Sequence, residues 1–350
     1  MNKLNLTVIV PNYNHGYLLA QAIGMVINQS YLPDEVIIID DGSTDNSKIV
    51  ISEIIESNPN INFKFIQNDT NKGIVYTSNL GANEASSEYI YYAAADDHIG
   101  QDFFKETITL LKMHPNAGLC SSIVKSIYNN GVVVQMEMPK IKLDPRGQYF
   151  DPSKCRELLQ RQDSWMGGNS CVYRLDAFLE CGGLIPELGS RCDIFLAMLV
   201  AVKYGVCYLP RSLSGFTLSP TSYSANTTLE DSLNYNSLMA DLMRVRYSKL
   251  FPKGYSEAFE TRENYRAKVH EILNFDRKKY STMKGMIGKR YFIDDLIRHI
   301  LKTIDLIFII NWLFFLYLVE EDIKKVLNKW LYIKLKYLKC RFKNKFKLYF

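Results

Sequence analysis

At 350 residues, with 47% hydrophobic and 23% charged side chains, the chain has a globular composition and is long enough for a main domain plus an appendage. Its formal charge of +5 is unevenly spread: residues 323–350 carry ten Lys and Arg and no acid, which leaves the other 322 residues at −5 and argues against a uniformly basic nucleic-acid binder. The seven cysteines are odd in number and contain no Cys-x-x-Cys pair, which argues against a zinc site or a disulfide framework and fits a reducing cytosol.

Leu6–Val10 is an apolar run stopped by Pro11, Asn12, Tyr13 and Asn14: a first strand, too short for a signal peptide, followed by a polar turn. Leu18, Leu19, Ala22, Ile23, Val26 and Ile27 share one helical face, and Pro33 ends that stretch. Val36–Ile39 is a second strand ending in Asp40-Asp41-Gly42-Ser43, after which Thr44, Asp45 or Asn46 caps a helix to about Ser57. Phe63–Ile66 is a third strand, followed by the turn Asn68–Gly73 and a helix near Ser78–Ala85. From Tyr89 to Ala95 a buried strand passes from aromatic residues to alanines and ends in Asp96-Asp97.

Apolar strands alternating with helices predict a parallel, doubly wound sheet, whose ligands lie in the crevice at the carboxyl ends of the strands. Three polar clusters fall at those ends: Pro11–Asn14, Asp40–Ser43 and Asp96-Asp97. Two acids at a strand end make a hard-oxygen site suited to Mg²⁺ or Mn²⁺ holding a diphosphate. No Gly-x-Gly-x-x-Gly follows the first strand and no Walker lysine loop is present, so backbone amides alone would not cradle the phosphates.

Val8-Ile9-Val10-Pro11-Asn12-Tyr13-Asn14, Asp40-Asp41-Gly42-Ser43-Thr44-Asp45, Asn71-Lys72-Gly73 with Asn79 and Gly81, and Ala95-Asp96-Asp97 together resemble the family 2 glycosyltransferases. The likeness is close over residues 4–100 and looser to about residue 220. It implies a GT-A fold, an α/β architecture with a Rossmann-like, mostly parallel sheet flanked by helices. It also implies a nucleoside-diphosphate sugar donor (a UDP-sugar), a divalent metal (Mn or Mg) and transfer with inversion. On this resemblance Pro11, Tyr13 and Asp41 line the nucleoside pocket, with Asp41 accepting from the base. Asn14, Asp40, Gly73, Asn79 and Asp97 complete the donor site, and Asp96 binds the metal. Two positions depart from the family pattern: Ala94 replaces the first acid of its Asp-x-Asp, and Ser78 replaces an Arg often found before the Asn79 position.

Beyond residue 100, Asn129-Asn130-Gly131 before Val132–Val134 is a hairpin signal. Trp165–Ser170 is a glycine-rich stretch leading into Cys171–Arg174, whose glycines either let the backbone approach the sugar or make a plain tight turn, and Cys181-Gly182-Gly183-Leu184 resembles the family's Gly-Gly-Phe loop. The family places its catalytic base in an acidic motif at a helix start. In Leu188–Phe195 the only acid is Asp193, which therefore ranks ahead of Glu187 as the base, with helix capping as its competing role. Val206–Leu209 is a further strand.

From Thr227 to about Arg290 the pattern is helical and mixed in charge. Leu306–Val319 is an apolar run of 14 residues, short of the roughly 20 that a membrane-spanning helix needs. Lys324 to Phe350 mixes basic residues with aromatics, a composition that favours an anionic membrane surface; a buried or oligomer contact and a nucleic-acid tail are the alternatives. The expected organisation is a GT-A domain over 1–225 (nucleotide half 1–100, acceptor half 101–225), a helical extension over 226–295 and a membrane-associating region over 296–350. The expected protein is peripheral on the cytoplasmic face of the membrane, moving sugar to a lipid-linked or saccharide acceptor in surface polysaccharide or glycolipid synthesis. It has no nucleic-acid partner, and a homo-oligomer is left open. The competing readings are a catalytically weak sugar-nucleotide binder and a membrane-docked scaffold.

Overall fold

The computed structural model describes residues 5–95, 97–128, 133–135, 139, 141–161, 165–218 and 226–275. Strands β1 (Leu6–Asn12) and β2 (Glu35–Asp40) are buried at every position. Successive strand residues point to opposite faces, and here each face meets its own core. Ile9, Ile37 and Ile39 join one cluster, with Val75, Ala82 and Phe178. Val8, Val10, Val36 and Ile38 join another, with Leu19, Ile23, Ile51 and Phe103. A sheet sandwiched in this way has no polar face, which is why its strands read as unbroken apolar runs.

The remaining strands are β3 (Phe63–Gln67), β4 (Tyr89–Tyr92), β5 (Asp97–Ile99), β6 (Leu119–Tyr128), β7 (Val133–Gln135), β8 (Gln148–Phe150), β9 (Val172–Arg174) and β10 (Val206–Leu218). Their order is β3-β2-β1-β4-β9-β6-β10-β5, with β7 on β6 and β8 on β10. Helices α1 (Gly16–Ile27), α2 (Ser47–Ser57) and α4 (Phe103–Met113) cover one face; α3 (Ile74–Glu84), α5 (Pro152–Arg161), α6 (Leu175–Glu180) and α7 (Cys192–Tyr204) cover the other.

The expected α/β sheet is present, but it is mixed rather than mostly parallel. β1, β2, β3 and β4 pair in parallel, as do β6 and β10. β9 enters antiparallel between β4 and β6, and β5, β7 and β8 pair antiparallel with their neighbours. Helices α1, α2 and α3 are the crossovers between the parallel strands β1 to β4, whereas β4–β9 and β5–β10 pair strands far apart in the chain, whose direction no single crossover sets. Three boundaries also differ from expectation. β4 stops at Tyr92, and the chain turns through Ala93–Ala95 before β5. α3 starts at Ile74, because Gly73 at φ +88° ends the preceding loop there. β10 continues beyond Pro210 to Leu218: its register against β6 shifts between Leu209 and Ser212, a bulge that accommodates a residue with no N–H for the ladder.

Residues 1–271 form one compact unit. It takes in α8 (Leu229–Arg244), which opens with a Thr228–Asp231 capping box, and most of α9 (Tyr255–Phe275). Met239, Met243, Tyr255 and Phe259 of these helices belong to the core that holds Phe195 and Leu196 of α7. The second unit, 272–350, lies outside the described residues apart from the end of α9, and with it the apolar run at Leu306–Val319 and the basic tail. Among the described residues no helix is long and apolar enough to cross a membrane.

Candidate active site

The polar clusters at the ends of β1 and β2 form a hydrogen-bonded knot. Asp40, fully buried, accepts from Asn12 Nδ2 at 3.0 Å and from the Ser43 N–H at 3.1 Å. Ser43 Oγ in turn accepts from the Asn14 N–H at 2.9 Å, and Asn14 Oδ1 accepts from the Thr44 N–H at 2.8 Å. Asp41, also buried, accepts from Asn68 Nδ2 at 2.7 Å and from the N–H groups of Lys72 and Gly73 at 3.0 and 2.9 Å. One carboxylate therefore shapes the whole 68–73 loop. Gly42 completes the fit, since a Cβ there would lie 2.8 Å from the Thr70 carbonyl carbon.

Beside this knot, at the ends of β1 and β4, a cavity of about 400 Å³ is walled by Pro11, Ser78, Asp97, Gly168, Tyr173 and Asp193 among others. Asp97 reaches it from the start of β5, and Asn169 Nδ2 donates to Asp97 Oδ1 at 3.4 Å and to the Gly215 carbonyl at 2.9 Å. Asp193 reaches it from the first turn of α7. Its Oδ1 accepts from the Ile194 N–H at 2.7 Å. Burial raises the Asp193 carboxyl above the ordinary range, against the opposing pull of that N–H and of Arg191. Its seat is carved by glycine: a Cβ at Gly168 would stand 2.7 Å from Asp193 Cγ and overlap the carboxylate.

Of the residues singled out in the sequence, the structure brings Pro11, Asp97 and Asp193 to one cavity, with the departing positions Ser78 and Ala94 on its wall. Asp40, Asp41, Asn14 and Gly73 form the adjacent knot. Tyr13 is 40% exposed on the surface. Asn79 clamps the Gly-Gly loop, donating to the Leu184 carbonyl at 2.8 Å and accepting from the Leu184 N–H at 2.9 Å. Glu187 is exposed and does not line the cavity. Asp96 lies outside the described residues. Sequence reasoning passed over Asn169 and the seat at Gly168; the Gly-Gly-Asn run was a signal for a turn, not for either contact.

Among the described residues no group of three or more His, Cys, Asp and Glu side chains could hold a metal ion. A cation that retains waters and substrate phosphates, however, needs only one or two carboxylates from the protein. An acid on the cavity wall at Asp97, with Asp96 beside it in the chain, fits a hard divalent cation bound in that way.

The sheet order, the covering helices and a crevice site at the strand ends define a GT-A-like α/β fold. S. aureus TarS in complex with UDP-GlcNAc shares it, with a TM-score of 0.57 at 18% identity over 75% of this chain and 72% of that one. The sequence gives the family: residues 7–178 match Glycosyl transferase family 2, and this segment is a domain of that family. An uncharacterized glycosyltransferase of Haemophilus influenzae is 34% identical over 126 residues, 34% of this chain and 50% of the relative. A GalNAc(5)-diNAcBac-PP-undecaprenol beta-1,3-glucosyltransferase of Campylobacter jejuni is 32% identical over 94 residues, 27% of this chain and 30% of the relative. The chain spans about half the length, or less, of the curated relatives it matches.

Proposed function

We propose that this protein is an inverting glycosyltransferase that moves a sugar from a nucleoside-diphosphate sugar, a UDP-sugar, to the hydroxyl of a lipid-linked or saccharide acceptor. One observation carries the reading: of the described acids past residue 100, only Asp193 lines the cavity that Pro11 and Asp97 also wall. Inversion requires a base beside the acceptor hydroxyl, on the side of the sugar away from the diphosphate. Asp193 takes the proton from that hydroxyl as its oxygen bonds to the anomeric carbon and the bond to the diphosphate breaks. A carboxyl raised by burial is a stronger base than an ordinary one and suits the task. Asp41 and the loop it holds form the nucleoside side, with Pro11 and Tyr13. Asp96, with Asp97 next to it in the chain, would hold a divalent cation, which would supply positive charge to the departing diphosphate.

The relative from Campylobacter acts, by its name, on an undecaprenol-linked saccharide. That supports an acceptor of surface polysaccharide or glycolipid synthesis, reached from the cytoplasmic face by a peripheral protein whose basic, aromatic-rich tail binds anionic lipid. Deleting residues 296–350 would then release the protein from membranes; persistent sedimentation of the truncated chain with vesicles would remove the tail from this role.

Thermal shift and calorimetry with UDP, GDP and their sugars, with and without Mn²⁺, test the donor reading. Ligand at 100 times its dissociation constant stabilises a folded protein by about 2.7 kcal/mol, a readable shift. Failure of every nucleoside diphosphate to bind in the presence of metal would overturn it. The uncharged Ala94 on the cavity wall favours one rival, a sugar-nucleotide binder with weak catalysis. Binding without either transfer or donor hydrolysis would select that rival.

A further inference from the structure

Tyr173 stands in the middle of β9, 2% exposed, its ring edge-on to Phe178 with centroids 5.7 Å apart. It is part of the cavity wall. Its hydroxyl is buried with no nitrogen or oxygen partner among the described residues, and its one hydrogen-bonding neighbour is the Cys171 thiol, a weak partner. The polar groups that act on it electrostatically are Cys171, Asp193 and Tyr92, and two of these, Asp193 and Tyr92, wall the same cavity. Tyr92 does not need it, because its own hydroxyl donates to the Ser78 carbonyl at 3.3 Å. A buried hydroxyl with only a thiol beside it is poorly compensated for the water it gave up, and phenylalanine would fill the same space without that penalty. The oxygen is thus costly to the empty protein, and Tyr173 shares the wall of the cavity with the proposed base.

We propose that Tyr173 is the residue that reads the transferred sugar, its hydroxyl donating a hydrogen bond to a sugar oxygen held beside Asp193. The inference rests on the donor reading above. The surrounding wall combines the apolar side chains of Val75, Leu184 and Ile194 with the polar ones of Ser78, Asn169, Ser190 and Thr217. Among these groups the Tyr173 hydroxyl is the one buried without a nitrogen or oxygen partner, and a buried group of that kind discriminates against a ligand that lacks the matching oxygen. Burial lifts the phenol well above its ordinary range, so it stays protonated and acts as a hydrogen-bonding group, not as an acid or base. Two chemistries supply the accepting oxygen: a ring hydroxyl, or the carbonyl of an acetamido group.

Tyr173→Phe in the full chain tests this. Calorimetry with Mn²⁺ would compare UDP, GDP, UDP-glucose, UDP-N-acetylglucosamine and GDP-mannose on both proteins. The expected result is unchanged affinity for the nucleoside diphosphate and about 10-fold or greater loss for the sugar nucleotide that the wild type binds. The melting temperature should be equal or higher, since a poorly paired buried hydroxyl is gone. Loss confined to the acetamido sugar names the carbonyl as the partner; loss with UDP-glucose or GDP-mannose as well names a ring hydroxyl. Equal sugar-nucleotide affinity in the two proteins would overturn the inference and leave the donor reading standing. So would a matching loss for the bare diphosphate, which would mean altered cavity shape, or a shifted pH profile of turnover, which would mean that the hydroxyl serves Asp193 instead. If the wild type binds none of these ligands, the donor reading itself falls and takes the inference with it.

Discussion

At the ends of β1 and β2, Asp40 and Asp41 together accept from two side-chain amides and three backbone N–H groups, all within 3.1 Å. At the start of α7, Asp193 accepts from one N–H, that of its own neighbour Ile194, and its carboxylate otherwise lies in space left by Gly168. The same residue type performs opposite tasks a short way apart. In the knot at β1 and β2, charge is consumed to hold loops in shape, and the carboxylates are part of the fold. At the start of α7 the carboxylate is left available, and its burial raises its proton affinity. Substitutions at the two places should therefore separate stability from turnover.

The largest effect is expected at Asp193. Asp193→Asn retains the shape but not the basicity, and should lower kcat by about 100-fold or more with donor binding near normal. In the wild type, turnover should fall as pH drops through the raised carboxyl value. Stability should have the opposite slope. The folded protein holds a proton that the unfolded chain releases at the ordinary carboxylate value, so that contribution is present below the ordinary value and lost as pH rises through the raised one. Asp193→Asn should lack this slope, which urea melts at stepped pH would check. A variant that unfolds instead would assign Asp193 to the fold and erase the contrast.

Asp41→Ala comes next and should act in the opposite direction. It strands Asn68 Nδ2 and the N–H groups of Lys72 and Gly73, for a destabilisation of about 2–4 kcal/mol by denaturant midpoint. Gly168→Ala should come third. It pushes the Asp193 carboxylate from its seat and should lower kcat by about 10-fold to 100-fold with little change in melting temperature. Combined with Asp193→Asn it should add almost nothing, because both changes remove the same group. Asn79→Ala should be the mildest: the loss of its two bonds to Leu184 costs about 1 kcal/mol each at most, with kcat changing less than in either site variant. A collapse of kcat in Asn79→Ala with stability intact would place Asn79 in the donor site after all.

The sequence made the first half of this fold legible because its signals are local. Apolar runs, Pro33, and the Asp- and Gly-bearing turns mark β1 to β4 without reference to distant residues. β6 was not legible, since Cys120-Ser121-Ser122 breaks its apolar pattern with small buried residues. The antiparallel entry of β9 was hidden as well, because direction there is decided by pairing with β4 and β6 and not by anything within Val172–Arg174. In the site, Asp97 and Asp193 were found through motifs. The seat at Gly168 and the Asn169 bridge were not, because each is a contact between residues far apart in the chain, and neither partner is unusual in its own neighbourhood.

The position of β9 also bears on how the protein is made. Tyr89–Tyr91 of β4 have β1 on one side and wait for Val172–Arg174 on the other. Between them lie about 80 residues of chain, which a ribosome adding roughly 5–20 residues per second delivers over about 4–16 s. Through that interval the emerging sheet presents an open, tyrosine-rich edge in its middle, the kind of edge that recruits foreign strands. The nascent chain is thus at greatest risk of mispairing partway through translation, before the closing strand exists.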